Sequence, residues 1–342
     1  MKVLVTGGAG YIGSHTVLAL LQQDHQVVVF DNLCNASEVP LARIEEMTGK
    51  HIESVRGDIR DEAALDAVFE AHQFDAVIHF AALKAVGEST QKPLAYYQTN
   101  VHGSVCLLEA MQRHQVTDFI FSSSATVYGE LAIVPYLESM PLGSPSSPYG
   151  ATKVMVERIM ADYAAANPEF RGVSLRYFNP IGAHESGNLG EDPKGIPNNL
   201  LPYLAQVAVG RRAHLSVFGG DYPTQDGTCL RDYLHVMDLA EGHTAALNWL
   251  ADHPLQRGIE AFNLGTGQGV SVLDIIAAFE QASGVPVPYE IAPRRAGDLA
   301  AFWANADKAS TVLGWQAKRN LTQMMQDTWR WQSQNPSGYS EE

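Results

Sequence analysis

A chain of 342 residues with 23 basic and 38 acidic side chains has a net charge of −15, which disfavours nucleic acids and anionic membrane surfaces as partners. The three cysteines are far apart and show no C-x-x-C spacing, so neither a disulfide framework nor a zinc site is indicated. No apolar run reaches the roughly 18 residues of a membrane-spanning helix. The strand predicted over 2–6 runs straight into a glycine turn, which is unlike a signal peptide, and we expect a cytoplasmic protein with one large and one small lobe.

The first predicted strand is followed by a glycine turn, residues 7–13 (GGAGYIG), and then by a helix predicted over 14–23. Glycines in this context let the backbone turn tightly and approach a pyrophosphate, whose charge the N-terminus of the helix favours. A second strand, over 26–30, ends at Asp31, 18 residues beyond Gly13. A carboxylate there accepts hydrogen bonds from both hydroxyls of an adenosine ribose and repels a 2′-phosphate. The pattern therefore predicts an NAD site, although Asp31 alone could be an ordinary turn residue.

Strands and helices continue to alternate, which predicts an α/β protein with a doubly wound parallel (Rossmann) sheet and a smaller mixed α/β C-terminal substrate lobe. The further strands are predicted over 51–55, 76–80, 118–121 and 173–178, and the further helices over 62–72, 93–114 and 148–166. Gly, Pro, Asn and Asp are frequent over 183–232, where the substrate lobe would leave the sheet. The predicted division is 1–180 for the NAD-binding domain, with returning segments over about 233–270, and 181–342 mainly for the substrate lobe.

Residues 147–153 (SPYGATK) set a phenol and an amine one helical turn apart at the start of a predicted helix. Tyr149 and Lys153 then share one face, a pair that by itself also fits an ordinary surface helix. Ser122–Ser124 lie at the carboxyl end of a strand, where a serine could hydrogen-bond a substrate hydroxyl or a nascent carbonyl oxygen, or could simply begin a loop. G-x-S-x-G is absent, so acyl transfer has little support.

The second half of the chain offers fewer patterns. Two loop arginines, Arg231 and Arg295, are either solvated or ligands of a diphosphate, which suits the guanidinium fork. His79 lies on an apolar strand and is expected to be a satisfied core residue, and no metal site is predicted. The remaining predictions are helices over 200–210 and 272–281, a strand over 261–264 that returns to the sheet, a structural glycine turn over 265–269 and a loose polar tail over 333–342.

Several of these segments together resemble the extended short-chain dehydrogenase/reductases that act on nucleotide sugars. Within that group, the chain is similar over nearly its whole length to the UDP-glucose 4-epimerase family. The segments that carry the resemblance are 6–13, Asp31, 80–89, 122–129, 149–153, 175–180 and 195–200. The resemblance implies tightly bound NAD that is regenerated in each turnover, a UDP-hexose substrate, and a homodimer formed through the helices near 93–114 and 149–166.

The resemblance also implies a role for particular residues. The implied catalytic residues are Ser124, Tyr149 and Lys153. The implied NAD-binding residues are Gly7, Gly10, Tyr11, Ile12, Gly13, Asp31, Asn32, Asn35, Asp58, Ile59, Phe80, Ala81, Lys84, Ser122, Tyr149, Lys153 and Phe178. The implied UDP-hexose ligands are Lys84, Ser124, Tyr149, Tyr177, Asn179, Asn199, Leu200, Ser216, Phe218, Arg231, Arg295, Asp298 and Phe302. Among these, Phe218 would pack on the uracil, Asp298 would meet the uridine ribose, and the two arginines would clamp the diphosphate.

Two positions qualify the resemblance. Ala36 replaces a serine that in the family contacts an adenosine phosphate, so one hydrogen bond to the cofactor is in doubt. Position 302 carries bulky or small residues in the family, and the small ones are associated with room for an N-acetyl group. Phe302 is bulky, so we expect UDP-glucose and UDP-galactose to be preferred over their N-acetylated counterparts.

The expected reaction is reversible inversion at C4 of the hexose through a transient 4-keto sugar, which the resemblance links to Leloir-type galactose metabolism. Tyr149 would act as a phenolate base, which requires its pKa to fall by roughly three units, or about 4 kcal/mol, with Lys153 and the nicotinamide ring as the stabilising charges. A nucleotide-sugar 4,6-dehydratase is a rival, but Ala125 and Thr126 stand where that family has its acid/base pair. A simple NAD-dependent sugar dehydrogenase and a non-catalytic NAD-sensing protein are two further rivals.

Overall fold

The structure is a computed structural model that describes residues 1–130, 132–195, 197, 199–295 and 298–339. Parts of three predicted segments lie outside the described residues: Ile196 and Asn198 of 195–200, the two residues that follow Arg295, and the last three residues of the predicted tail. No helix among the described residues is long and apolar enough to cross a membrane.

Fourteen strands and eleven α-helices make up the regular structure of the described residues. The strands are β1 (Lys2–Thr6), β2 (Gln26–Asp31), β3 (Glu53–Arg56), β4 (Ala76–His79), β5 (Asp118–Ser124), β6 (Arg171–Tyr177), β7 (Asn179–Ile181), β8 (Leu215–Phe218), β9 (Leu230–Arg231), β10 (Tyr233–His235), β11 (Gly258–Leu264), β12 (Val270–Ser271), β13 (Tyr289–Ala292) and β14 (Ala301–Phe302). The helices are α1 (Tyr11–Gln22), α2 (Val39–Thr48), α3 (Glu62–Ala71), α4 (Val86–Gln91), α5 (Pro93–Tyr96), α6 (Gly103–Arg113), α7 (Pro148–Ala166), α8 (Leu200–Ala208), α9 (Val236–Asp252), α10 (Val272–Ser283) and α11 (Leu321–Gln334).

Seven of the strands form one parallel sheet in the order β3-β2-β1-β4-β5-β6-β11. Successive side chains of a strand point to opposite faces, so Val3 and Val5 enter the core beneath α1 and α9, whereas Leu4 enters the core beneath α3, α6 and α7. Helices therefore cover both faces of the sheet, which is why its strands are apolar throughout. The predicted doubly wound Rossmann sheet is confirmed.

A second core lies in the C-terminal half. It joins α8, α10 and α11 to a two-stranded parallel sheet of β8 and β13, through side chains such as Leu204, Ile276 and Met325. Strand β11 returns from this half to pair with β6, and α9 packs on α1. The chain thus crosses between the large sheet and the smaller core, and this brings loops of both to the carboxyl edge of the sheet.

The sequence patterns did not predict α2, α4, α9 and α11. Helix α9 is buried on nearly all of its faces, so it lacks the one-sided apolar stripe by which a surface helix is recognised. The helix predicted over 93–114 is present, but its middle turn, Tyr97–His102, is π-helical. Helix α1 begins at Tyr11, earlier than predicted, because the glycine turn leads directly into the helix.

The prediction of a loose tail is wrong for its described part. Ser333 and Gln334 belong to α11, and the ring of Tyr339 lies 4.5 Å from that of Trp331. Two aromatic side chains hold an otherwise polar segment against the protein, and a prediction from composition gives them too little weight.

The glycine turn predicted to be structural is confirmed as such. The buried carboxylate of Asp232 accepts hydrogen bonds from the backbone N–H groups of Thr266 (2.8 Å) and Gly267 (3.0 Å). His79 is a satisfied core residue, as expected, since its ring nitrogens bond Thr6 (2.6 Å) and Ser104 (2.9 Å). Burial lowers the pKa of His79 to about 3, so the ring is neutral.

Candidate active site

The glycine turn between β1 and α1 forms one wall of a large cavity at the carboxyl edge of the sheet. Gly7 has φ +71°, and a Cβ there would lie 2.6 Å from the backbone nitrogen of Ala81. A Cβ on Gly13 would overlap the carbonyl oxygen of Gly7. No described side chain caps α1, whose N-cap is Gly10. The helix start therefore offers free N–H groups and positive dipole to an anion in the cavity.

Asp31 lies at the end of β2, beside this helix start. Its carboxylate accepts hydrogen bonds from the backbone nitrogens of Ala9 (3.1 Å) and Leu33 (2.9 Å). Burial raises the pKa of Asp31, and these two N–H groups partly offset that effect. Asn32 donates to Asp58 (2.9 Å), which is also held by Arg60, and this hydrogen bonding and charge depress the pKa of the Asp58 carboxyl.

Tyr149 and Lys153 reach the same cavity from the first two turns of α7. Ser147 caps this helix by accepting from the Gly150 nitrogen at 3.2 Å, and Pro148 occupies the first turn. Tyr149 is 9% exposed and Lys153 is 4% exposed. The Lys153 Nζ lies 5.8 Å from the centre of the Tyr149 ring and donates to the carbonyl oxygen of Ser122 at 2.8 Å. The amine of Lys153 is thus held by the backbone of β5, and both side chains are largely buried.

Burial disfavours the charged form of both side chains and shifts their pKa values in opposite directions. It raises the pKa of Tyr149 to about 12, with hydrogen bonding from Ser124 acting in the opposite direction. It lowers the pKa of Lys153 to about 7, against the charge of Glu157. In the protein alone, burial therefore outweighs the groups that lower the pKa of Tyr149, contrary to the expectation from the sequence, and the positive charge of a bound ligand would add to them.

The charge of Glu157 is itself fixed in the core, one turn beyond Lys153 on α7. Its carboxylate accepts hydrogen bonds from Ser123 (2.5 Å) and from Arg176 Nη2 (2.6 Å). Because the ion pair of Glu157 and Arg176 is buried, both side chains need these hydrogen bonds to offset their loss of hydration. The network anchors α7 to β5 and β6 directly behind the cavity.

The serines at the end of β5 are used in different ways. Ser122 is hydrogen-bonded to the hydroxyl of Tyr177 at 2.6 Å. Ser124 accepts from the backbone nitrogen (3.2 Å) and the hydroxyl (3.0 Å) of Thr126 at the start of a single 3₁₀ turn. A hydroxyl that accepts twice still has its own hydrogen to donate. Ser124 therefore keeps a hydrogen to donate to the neighbouring Tyr149, although Ser124 itself does not line the cavity.

A cluster of charged and aromatic side chains lies in the C-terminal half, outside the cavity lining. Asp298 pairs with both arginines, at 2.8 Å to Arg295 Nε and 3.7 Å to Arg231 Nη2. The Arg295 guanidinium lies 4.9 Å from the ring centre of Phe218, which is 39% exposed. The two predicted diphosphate ligands thus share one carboxylate, with an exposed aromatic face beside them.

Phe302 packs against this cluster and against two further aromatic rings. Its ring centre lies 4.5 Å from the Arg231 guanidinium and 5.8 Å from the ring centre of Phe178, the residue after β6. It also stacks on Tyr136 at 6.3 Å. These contacts on several sides leave the ring little freedom to move aside.

The cavity gathers most of the predicted cofactor residues. Those that line it are Gly7, Gly10, Tyr11, Ile12, Gly13, Asp31, Asn32, Asn35, Ile59, Phe80, Ala81, Lys84, Ser122, Tyr149 and Lys153, together with Tyr177 of the substrate set. Asp58 and Phe178 are outside the lining. Ala36 lines the cavity beside Ser37, which offers a hydroxyl where Ala36 has none.

The remaining predicted substrate residues occupy the C-terminal half or its border. Leu200 begins α8, Asn199 is its N-cap, and Ser216 lies within β8. The side-chain oxygen of Asn179 is buried and has no hydrogen-bond partner among the described residues. Such an acceptor suits a hydroxyl group of a ligand.

Several residues that line the cavity were not predicted from the sequence, among them Glu191, Lys194 and Tyr339. Glu191 accepts hydrogen bonds from Lys84 (3.0 Å) and Asn199 (3.1 Å), Lys194 donates to the Leu33 carbonyl at 2.8 Å, and Tyr339 comes from the C-terminal segment. The sequence offered one indication of them, which is that Glu191 lies in a polar, glycine-rich stretch.

The glycine turn, Asp31 and the Tyr149–Lys153 pair on a doubly wound sheet define a Rossmann-fold nucleotide-binding protein of the short-chain dehydrogenase/reductase type. Residues 4–328 match the family model described as GDP-mannose 4,6 dehydratase. A UDP-glucose 4-epimerase of Erwinia amylovora is 61% identical over 99% of this chain and 100% of its own length. The chain belongs to the UDP-glucose 4-epimerase family.

Solved structures agree with this assignment. The UDP-glucose 4-epimerase of Bifidobacterium longum, in complex with NAD+ and UDP, superposes with a TM-score of 0.95 at 50% identity and covers 99% of this chain and 100% of its own. The enzyme of Stenotrophomonas maltophila, with bound NAD and formylated UDP-arabinopyranose, has a TM-score of 0.94 at 50% identity and covers 98% of this chain and 99% of its own.

Proposed function

We propose that this chain catalyses the reversible C4 epimerisation of UDP-glucose and UDP-galactose, with tightly bound NAD that is restored in each turnover. One observation carries the proposal. A buried tyrosine and lysine face the same cavity as an uncapped helix N-terminus and a strand-end carboxylate. In the C-terminal half, two arginines share the carboxylate of Asp298. The residues fit NAD, since Gly7 and Gly13 leave no room for a side chain at the turn and Asp31 faces the cavity.

NAD supplies the group that takes hydride from C4 of the hexose and returns it. Tyr149 removes the proton from the 4-hydroxyl and returns it after the hexose has rotated to present its other face. The ammonium of Lys153 stabilises the phenolate, and Ser124 donates to the oxygen as it becomes a carbonyl. Because burial raises the pKa of Tyr149 to about 12, a cationic ligand beside the phenol would favour formation of the phenolate.

We infer that the UDP part of the substrate stays fixed while the hexose rotates. Arg231 and Arg295 are proposed to hold the diphosphate, Phe218 the uracil and Asp298 the uridine ribose. The exposed face of Phe218 and the sharing of the Asp298 carboxylate by both guanidinium groups support this arrangement. Binding of a diphosphate would draw the arginines partly away from Asp298, which frees its oxygens for the ribose hydroxyls.

The 4,6-dehydratase hypothesis lacks support at the site. That reaction removes water across C5 and C6 and needs an acid/base pair after Ser124. Ala125 and Thr126 occupy the 3₁₀ turn there, and the Thr126 hydroxyl is already bonded to Ser124. The epimerase activity requires no such pair.

The cofactor cycle gives a first prediction. Purified protein should retain NAD(H) and interconvert UDP-glucose and UDP-galactose with no NAD added, because each turnover restores the cofactor. Product separation with parallel monitoring of NADH absorbance checks this. A strict requirement for added NAD with net release of NADH would instead indicate a sugar dehydrogenase, and a protein that binds NAD without turnover would indicate a sensor.

Substrate breadth gives a second prediction, centred on Phe302. We expect the wild-type protein to prefer UDP-galactose over UDP-N-acetylgalactosamine, because the Phe302 ring is fixed between Arg231, Phe178 and Tyr136. In Phe302→Cys, the ratio of kcat/KM for the N-acetylated sugar to that for the plain sugar should rise by at least about tenfold. Turnover of both sugars by the wild type at comparable rates would refute this role. The same variant should raise KM for both sugars, since Arg231 loses a packing partner.

We further infer a cytoplasmic homodimer that serves galactose metabolism. The helices near 93–114 and 149–166 expose Leu94 (75%) and Met155 (43%), apolar groups that association would cover. The net charge of −15 argues against nucleic acid as a partner. We also propose 1–180, with returning segments over about 233–270, as the NAD-binding domain and 181–342 mainly as the UDP-sugar lobe.

A further inference from the structure

The loop over 184–194, here called the Glu191 loop, forms one rim of the cofactor cavity. Its last five residues line the cavity together with Tyr339. The carboxylate of Glu191 is 8% exposed, and its Oε1 accepts from both Lys84 Nζ (3.0 Å) and Asn199 Nδ2 (3.1 Å). Lys84 follows β4 of the large sheet, whereas Asn199 precedes α8 of the C-terminal half. One buried oxygen thus connects the cofactor side of the site to the substrate side.

The Glu191 loop has no strand or helix of its own, so its position depends on other segments. The C-terminal segment supplies most of the contacts. The Tyr339 hydroxyl donates to the carbonyl oxygen of Gly190 at 3.0 Å and accepts from the Gly190 nitrogen at 2.9 Å. The Tyr339 nitrogen donates to Asp192 at 2.8 Å. Both neighbours of Glu191 in the chain are therefore held by this one residue.

Further contacts of the same segment extend along the loop. Trp331 Nε1 donates to the carbonyl oxygen of Glu191 at 3.3 Å, and a Cβ on Gly190 would overlap the Trp331 ring. Asn335 donates to the Gly187 carbonyl at 3.0 Å. The loop could not come this close to Trp331 with any other residue at position 190.

Arg43 of α2 completes the arrangement from the Rossmann side. Its guanidinium lies 5.1 Å from the Tyr339 ring and 5.7 Å from the Trp331 ring, and it donates to the Asn188 carbonyl at 2.9 Å. We call Arg43, Trp331, Asn335 and Tyr339 the C-terminal clasp. The clasp ties α2, the Glu191 loop and α11 together at the cavity rim.

We propose that Tyr339 is a positioning residue of the active site. It holds the backbone of Gly190 and the carboxylate of Asp192, the two neighbours of Glu191, and this places the Glu191 carboxylate between Lys84 and Asn199. The clasp thereby slows the escape of the cofactor and keeps the substrate-side helix α8 in register with the cofactor cavity. This inference rests on the proposed function, because it assigns the cavity to NAD.

The variant Tyr339→Phe keeps the ring that contacts Arg43 and Trp331 but removes both hydroxyl hydrogen bonds to Gly190. We expect NAD to dissociate roughly tenfold faster, as measured by the loss of bound cofactor during dialysis against cofactor-free buffer. Backbone amides of the Glu191 loop should exchange with solvent faster, while amides of β1 and β4 remain protected. KM for UDP-galactose should rise more than kcat falls, since no reacting atom is touched.

A second variant separates positioning from general destabilisation. Glu191→Gln leaves the clasp intact but removes the ion pair with Lys84, and it should also accelerate NAD release. If Tyr339 acts through Glu191, the double variant releases NAD no faster than the more affected single variant. Tyr289→Phe, on the exposed edge of β13, serves as the matched control and should leave NAD release unchanged.

Two results would overturn the inference alone: unchanged NAD release in Tyr339→Phe, or effects of the two substitutions that multiply in the double variant. In both cases the wild type would still hold NAD and epimerise its substrate. A wild-type protein that held no NAD would instead overturn the proposed function and this inference with it. The two failures are therefore distinguishable in one set of measurements.

Discussion

Replacing Tyr149 by phenylalanine is expected to lower kcat for UDP-galactose by about 10²–10⁴-fold, the usual contribution of a positioned acid/base group. The substitution removes only the hydroxyl, and the ring stays buried in the cavity wall. NAD retention and the melting temperature should change little, because the Tyr149 hydroxyl is not hydrogen-bonded to any backbone group of the described residues. Turnover in the presence of saturating substrate, with bound NAD quantified in the same preparation, checks the expectation.

The matched control is Tyr163→Phe on the same helix. The Tyr163 ring packs against Phe170, with ring centres 4.8 Å apart, on the side of α7 that faces the core. Loss of that hydroxyl should leave turnover within a factor of two or so, as for an ordinary substitution away from a site. Undiminished turnover in Tyr149→Phe would remove the proposed base and reopen the possibility of a binding protein without catalysis.

Replacing Lys153 by methionine should lower turnover at neutral pH by about 10–10³-fold, because an adjacent opposite charge commonly shifts a pKa by one to three units. The phenolate is the active form of Tyr149, so activity rises with pH as the phenol ionises. Without the ammonium the phenolate is less stable and the pKa of Tyr149 moves up. The rising limb of the pH–rate profile should therefore move to higher pH by about one to three units.

The pH profile distinguishes this role from a structural one. A methionine that merely loosened the site would lower activity at every pH without shifting the limb. Lys92→Met is the control, since the only ion pair of Lys92 with a described residue is an exposed one with Glu88, and its loss should change neither rate nor profile. An unshifted limb with a large loss of NAD would assign Lys153 to cofactor binding alone.

Local sequence patterns identified the parts of the site that are contiguous in the chain. The strand, glycine turn and helix over 2–22 could be read directly, because each step constrains the next within a few residues. The same holds for 147–153, where the cap, the proline and the i,i+4 spacing all lie in one helical turn or two. Alternation of strands with helices was sufficient for the sheet, since parallel strands require crossovers and buried strands must be apolar.

The contacts of Glu191 could not be read in this way. Lys84, Glu191 and Asn199 come from three segments, and Tyr339 from a fourth, so no spacing relates them. The same applies to Asp298, whose pairing with Arg231 depends on β9 and β14 lying side by side. Long-range pairs leave no local periodicity, and the polar C-terminal segment was accordingly predicted, wrongly, to be loose.

The charge state of the central pair was also beyond the sequence. The spacing of Tyr149 and Lys153 suggested a phenolate stabilised by an ammonium. That interpretation leaves out the groups that surround the two side chains. Packing removes water from both groups. This burial raises the pKa of Tyr149 and lowers the pKa of Lys153, so the neutral form of each is favoured. The sequence by itself thus determined the fold class, the nucleotide turn and the residues of the pair, because these depend on local pattern. Only the tertiary structure decided the electrostatics of the pair and the rim that closes over it, because desolvation and long-range contacts exist only once the chain is packed.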